Sequence, residues 1–242
     1  MDLVEKTSNK NRHPWELSRA QCILNIVKRY SLGSVADIGA GDRFFTSRLS
    51  SFIPGAVYAV DAGYSKKSET IDRVHCFNDI SELPKLNDNT AIILMDVLEH
   101  IQDEAVFFKE ILDKIPAGGL IFITVPAFQF LFSNHDVFLK HHRRYNKKQL
   151  LALIHSQSIC IEKSHYFYAS LFFARLLLKK IKTAKPAGIG YWNFSEEHII
   201  TRFIYVILNI DFHICAFFAR FHIYLPGLSL LAICRKQEAA IA

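Results

Sequence analysis

No CxxC pair occurs in this chain, and its five cysteines, Cys22, Cys76, Cys160, Cys215 and Cys234, lie far apart. That spacing excludes a zinc ribbon or a dense disulfide framework and suits small core residues in a reducing compartment. The opening stretch, MDLVEKTSNKNRHPWE, is polar and lacks the apolar run of a secretory signal, so the chain is expected in the cytoplasm. Repeats and low-complexity tracts are also lacking. The two long apolar segments near the C-terminus fall short of the ~20 uncharged residues that span a bilayer. Nor is the charge extreme: 29 Lys and Arg against 23 Asp and Glu leave +6, which suits an anionic partner or plain solubility alike.

What is present is enough apolar mass for one substantial core, with half of the 242 residues hydrophobic and phenylalanine alone numbering 20. A single domain over 1–242 is expected, with an N-terminal arm and helix over 1–30 and a helical, aromatic-rich insertion over 168–226. Short apolar runs, SVADI, AVYAV, VHCF, AIILM and LIFITV, alternate with amphipathic segments such as RFFTSRLSSF and DEAVFFKEILDKI. Continuous apolar runs between helices predict a parallel sheet covered on both faces. Asp103 and Asn146 are the expected caps of two of the helices. ICIEKSHYFY and LSLLAICRK read as the final strands.

In VADIGAGDRFF, Gly39 and Gly41 stand directly between a strand and a helix. Without Cβ atoms the backbone turns sharply there and a ligand can approach the helix N-terminus closely. A dinucleotide turn needs a third glycine at position 44, where this chain has Phe44. Asp37 points instead to a ligand carrying an ammonium group. Asp61, twenty residues beyond Gly41, ends the next strand, where an acid accepts both ribose hydroxyls. Together these predict a nucleoside-bearing cofactor.

VADIGAGDRFF, VYAVDAGY, MDVLEHI and PAGGLIFITVPA, in that order, resemble the class I S-adenosylmethionine-dependent methyltransferases over Val35 to Val125. The resemblance implies an α/β, three-layer Rossmann-like sheet of seven strands, the last antiparallel, with helices on both faces and a helical insertion before the last strand. It implies S-adenosylmethionine as cofactor and S-adenosylhomocysteine as product. By position, Gly39, Ala40 and Gly41 would line the methionine part and Asp37 would fix its amino group. Asp61 would bind the ribose, Ala62 would lie beside the adenine with Asp79 and Ile80 around it, and Asp96, Val97 and Leu98 would run along the methionine side. HPWELSRA and SNHDVFLKHHRRYNKKQL are similar to a bacterial subgroup associated with glycan, lipid or other cell-envelope biosynthesis.

HDVFLKHHRRYNKK contains no acid after Asp136 but three histidines and five lysines or arginines. It follows the fifth strand, at the sheet edge where open α/β folds bind ligands. Arginine forks match carboxylate or phosphate, so Asp136, Arg143, Arg144 and Tyr145 are candidate substrate contacts, against a solvated basic loop as the alternative. His100, His135 and His141 are candidate proton acceptors. Glu99, His100, His135 and Asp136 could in principle hold a divalent metal, but their spacing is not diagnostic and no metal is expected. His13 and Trp15 could form a lid, or Trp15 could simply anchor its helix.

The insertion admits three uses: helices burying one another, contact with a membrane surface through Lys179, Lys180 and Lys182, or a lipid-shaped pocket. The leading reading is therefore a methyltransferase acting on a small or lipid-linked, anionic, glycan-related acceptor, at the inner face of the membrane if peripheral contact holds. Nucleic acid is not an expected partner, because DVLE stands where an NPPY-like tetrad would follow strand four. The alternative is a non-catalytic cofactor-binding or scaffold module of a cell-envelope biosynthetic complex.

Overall fold

The computed structural model describes residues 11–155, 159–180 and 194–238, and all their side chains except those of 178–180. Lys179, Lys180 and Lys182, read above as lipid contacts, therefore lie outside the described side chains. Strand β1 (Ser34–Ile38) sits at the centre of an eight-stranded sheet with β2 (Val57–Val60) on one side and β5 (Thr90–Met95) on the other. Beyond β2 lie β4 (Val74–Phe77) and β3 (Ser68–Ile71). Beyond β5 lie β6 (Leu120–Pro126), β8 (Ser229–Lys236) and β7 (Ile159–Phe167). Strands β4, β2, β1, β5 and β6 are parallel, and β8 runs antiparallel to both β6 and β7.

The expected seven strands, with an antiparallel last one, are all present. An eighth, β3, pairs antiparallel with β4. Its sequence, SETI, is short and partly exposed on both faces. It carries none of the apolar continuity that marks the buried strands.

Alternation along the central strands divides the core in two. Val35, Ala91, Ile93, Leu120 and Phe122 face α1 (Pro14–Val27), α2 (Phe44–Ser50) and α7 (Ile199–Ala219). Ala36, Ile38, Ile92, Leu94, Ile121 and Ile123 face α3 (Glu104–Lys114) and α5 (Lys147–His155). Each Val, Leu, Ile or Phe among them contributes roughly 1.5–3 kcal/mol on withdrawal from water. Helix α1 starts at a capping box: the His13 ring accepts the Trp15 N–H at 3.3 Å, and Glu16 accepts the His13 N–H at 3.3 Å. Asp103 and Asn146 cap α3 and α5 through the Val106 and Gln149 N–H groups, as their sequence positions predict.

The insertion forms α6 (Ala169–Lys180) and α7. Asp211 does not break the apolar run. It is buried within α7 and accepts the Ala169 and Ser170 N–H groups at 2.9 and 2.6 Å, satisfying the open end of α6. Thr201, Leu208, Phe212 and Cys215 share the inward face of α7. The outward face exposes Phe203, Ile207, Ile210, Ile214 and Phe217 to solvent. Among the described residues, α7 is the one helix long and apolar enough to cross a membrane, with a mean hydropathy of 1.6 over its best window.

Candidate active site

Ile38 and Val60 are register partners, so the residues that follow β1 and β2 emerge side by side at the carboxyl edge of the sheet. Gly39 takes φ +71°, and a Cβ added there would lie 2.6 Å from Val97 Cγ2. Only glycine fits that approach. Gly41, also left-handed, donates its N–H to Asp61 Oδ2 at 2.7 Å, and Gly63 donates to Oδ1 at 2.8 Å. A carboxylate offers about four acceptor sites, so the two backbone donors orient Asp61 and leave acceptor capacity for a ligand.

Asp61 and Ala62 border a cavity of about 740 Å³ that runs along the sheet edge. Asn78, Asp79 and Ile80 flank them. Asp79 Oδ1 accepts the Ser81 N–H at 2.7 Å, a bond that holds its carboxyl below the usual range. Gly39, Met95, Asp96 and Val97 form the floor, and His13, Trp15, Glu16 and Arg19 lean in from α1. Asp96 is ion-paired with Arg19 and accepts the Thr124 hydroxyl at 3.1 Å. Arg12 pairs with Asp42 in the glycine turn and sits 3.7 Å over the Phe44 ring, while the Tyr168 hydroxyl donates to the Trp15 carbonyl at 3.3 Å. His13 and Trp15 thus line the cavity as well as opening α1. Burial pushes the His13 pKa down to about 4, so its ring is neutral near pH 7.

Four residues expected at the cofactor stand off the wall. Asp37 is buried and accepts the Thr46 hydroxyl, and burial pushes its pKa up to about 7. It therefore supports the turn from below rather than meeting an amino group. Ala40 is buried, Gly41 acts through its N–H to Asp61, and the Leu98 side chain lies in the core on the α3 face.

The basic stretch folds inward around its one acid. Asp136 is fully buried in α4 (Asn134–Phe138). It accepts Arg144 Nε and Nη2 at 2.6 and 3.1 Å, His141 Nδ1 at 3.0 Å, and the Ser133 N–H and hydroxyl at 2.8 and 3.0 Å. Against the opposing effect of burial, its hydrogen bonds to His141 and Arg144 hold its carboxyl well below the usual range. Saturated in this way, Asp136 is an organiser and not a substrate contact. Arg143 points away from the cavity, ion-paired with Glu104 and donating to the Gln102 carbonyl at 2.7 Å. Tyr145 is buried and donates its hydroxyl to the Leu98 carbonyl at 3.1 Å. Of the four expected substrate contacts only Arg144 borders the cavity, beside His100, His135 and His141. Burial pushes His135 down to about 4, which makes it a poor proton acceptor near neutral pH.

Arg19, Glu99 and Arg175 also border the cavity. Trp15, Glu16 and Arg19 share one helix face at spacings of three and four, a pattern visible in the sequence. Arg175, on α6, donates to the Ser133 hydroxyl at 2.7 Å, a placement that only the tertiary fold reveals. Glu99 is fully buried, which pushes its pKa up to about 8 although Arg19 and Arg144 oppose the shift.

Comparison with known proteins bears on the family and the fold. The family model described as a methyltransferase domain matches residues 15–180. No curated protein sequence matches the chain. The fold is similar to a SAM-dependent methyltransferase from Archaeoglobus fulgidus (18% identity, 92% of this chain and 94% of that one, TM-score 0.51). It is similar to phosphoethanolamine N-methyltransferase 2 of Haemonchus contortus in complex with phosphomonomethylethanolamine and S-adenosylhomocysteine (17%, 89% and 52%, TM-score 0.51). It is also similar to the [4+2]-cyclase SpnF (15%, 96% and 85%, TM-score 0.55).

Proposed function

Since the chain belongs to the methyltransferase-domain family and S-adenosylmethionine is its cofactor, we propose that it methylates an anionic acceptor, small or lipid-linked, at a membrane surface. The bare backbone at Gly39 and the pre-oriented carboxylate of Asp61 fit a nucleoside joined to an amino acid. Asp61 would hold the ribose, Ala62, Asp79 and Ile80 would surround the adenine, and Gly39, Asp96 and Val97 would follow the methionine. S-adenosylmethionine supplies a methyl group already activated on a sulfonium, so the protein contributes mainly alignment and exclusion of water. Trp15 and Arg19 cover the cavity, and Asp136 fixes His141 and Arg144 at its acceptor end.

The observation that carries the acceptor reading is one continuous cavity, bordered by Asp61 at one end and by Arg144, Arg175 and the histidines at the other. The fork of Arg144 is closed on Asp136, so Arg175 is the guanidinium placed to select carboxylate or phosphate there. That a neighbour of this fold holds a phosphate-bearing amine is consistent with such a choice. The exposed apolar stripe of α7 supports the lipid-linked form and a location at the inner face of the membrane. The cell-envelope role expected from HPWELSRA and the basic loop belongs to the same proposal.

The test is incubation of the purified chain with methyl-labelled S-adenosylmethionine and a total bacterial lipid extract, beside a set of water-soluble phosphate and carboxylate compounds. Label in an acidic, solvent-extractable product supports the lipid-linked form, and label in the soluble set supports a small acceptor. Label in neutral or cationic products alone contradicts the anionic reading.

A further inference from the structure

Glu99 is fully buried, borders the cavity, and has no hydrogen-bond partner for either carboxylate oxygen. An ionised carboxylate in that position is costly unless a cation meets it. The adjacent cationic side chains hold other acids: Arg19 pairs with Asp96, and Arg144 with Asp136. What does face Glu99 is a pair of imidazoles. The His100 and His141 rings meet edge to face with centroids 4.6 Å apart. One ligand atom from each of Glu99, His100 and His141 lies within 4.8 Å of the other two.

We propose that Glu99, His100 and His141 form a site for a divalent first-row metal ion, open toward the cavity. The donor set carries the choice of metal. Two imidazoles with one carboxylate suit ions such as Mn²⁺, Co²⁺ or Zn²⁺ better than the all-oxygen preference of Ca²⁺. A bound ion would draw the three donors, now within 4.8 Å of one another, to roughly 2.0–2.2 Å from a common point. His141 is already prepared. Its Nδ1 is tied to Asp136 at 3.0 Å, which leaves Nε2 as the ligand atom and supplies the carboxylate support that metal-bound histidines commonly have. Asp136 is therefore a positioning residue for the site. With three protein ligands, the remaining coordination positions open on the acceptor end, where water or acceptor oxygens complete the shell. This use of His141 excludes its service as a proton acceptor, since both draw on the same lone pair.

The inference concerns the acceptor end of the cavity proposed above, but its test needs no nucleoside. Tag-free protein, stripped with chelator, is titrated with Co²⁺ while visible absorption is recorded, and with Mn²⁺ by calorimetry. The expected result is one ion per chain with ligand-field bands, and an affinity at least tenfold weaker in Glu99→Gln and in His141→Gln. Glu99→Gln keeps the volume and replaces a carboxyl oxygen with a poor metal donor, so it retains the fold and stays decisive if His141→Gln does not. No uptake by the wild-type chain at millimolar ion, or uptake unchanged in Glu99→Gln, overturns the site. A negative metal titration beside a positive one with S-adenosylhomocysteine leaves the methyltransferase reading intact. The reverse pattern would sink that reading alone.

Discussion

Asp61 Oδ2 accepts the Gly41 N–H at 2.7 Å, so the acid that ends β2 also pins the turn that follows β1. The two elements of the nucleoside site are thus mutually braced. The tight point of that turn is Gly39, whose absent Cβ is matched by Val97. Gly39→Ala should lower the melting temperature and weaken S-adenosylhomocysteine binding at least tenfold. Adding Val97→Ala should recover part of both, because it removes the clash and leaves only the left-handed strain. Equal losses in the single and double variants would show that Val97 is not what sets the limit.

Arg143 and Arg144, adjacent in sequence, should behave as opposites. Arg143 forms a partly exposed ion pair with Glu104, and Arg143→Ala should cost under about 1 kcal/mol of stability. Arg144→Ala strands Asp136 in the interior and should cost about 3–5 kcal/mol. Denaturant titration of both variants reads the difference, and similar losses would refute the inward fold of the loop.

Asp37 gives a pH signature. Its folded pKa of about 7 lies above the 3.8 ordinary for an aspartate, because burial disfavours the charged form. Between those values the folded chain holds more protons than the unfolded chain, so Asp37 lowers stability as pH rises from about 4 through 7. Asp37→Asn should raise the melting temperature at pH 8 and give little or no gain at pH 5. A variant less stable than wild type at pH 8 would contradict this.

Much of this arrangement was legible in the sequence. The apolar runs locate the central strands because a strand buried on both faces leaves no room for polar alternation. The glycines and Asp61 locate the nucleoside end because bare backbone and a well-spaced acid are local features. The loop after β6 was legible only as a basic segment. Which of its charges turn inward depends on Ser133, Gln102 and Glu104, contacts that no periodicity records. Strand β3 was missed because SETI has partners but little burial. Glu99 and His100 were legible as possible ligands, but His141 joins them only through the tertiary fold.

The apolar stripe of α7 yields a surface prediction. The chain should float with vesicles containing anionic lipid, and Phe203→Glu with Ile210→Glu should abolish flotation while leaving the melting temperature within a few degrees, since both residues are more than half exposed. Flotation unaffected by the double change would move the contact to another surface.

Calorimetric titration of wild type and Asp61→Ala with S-adenosylhomocysteine tests the nucleoside site most directly. Wild type should bind one equivalent, and the variant should lose about 1–3 kcal/mol, the cost of unmade hydrogen bonds to a charged acceptor. No heat from wild type at millimolar ligand, or equal affinity in the two proteins, would contradict the assignment of the cavity.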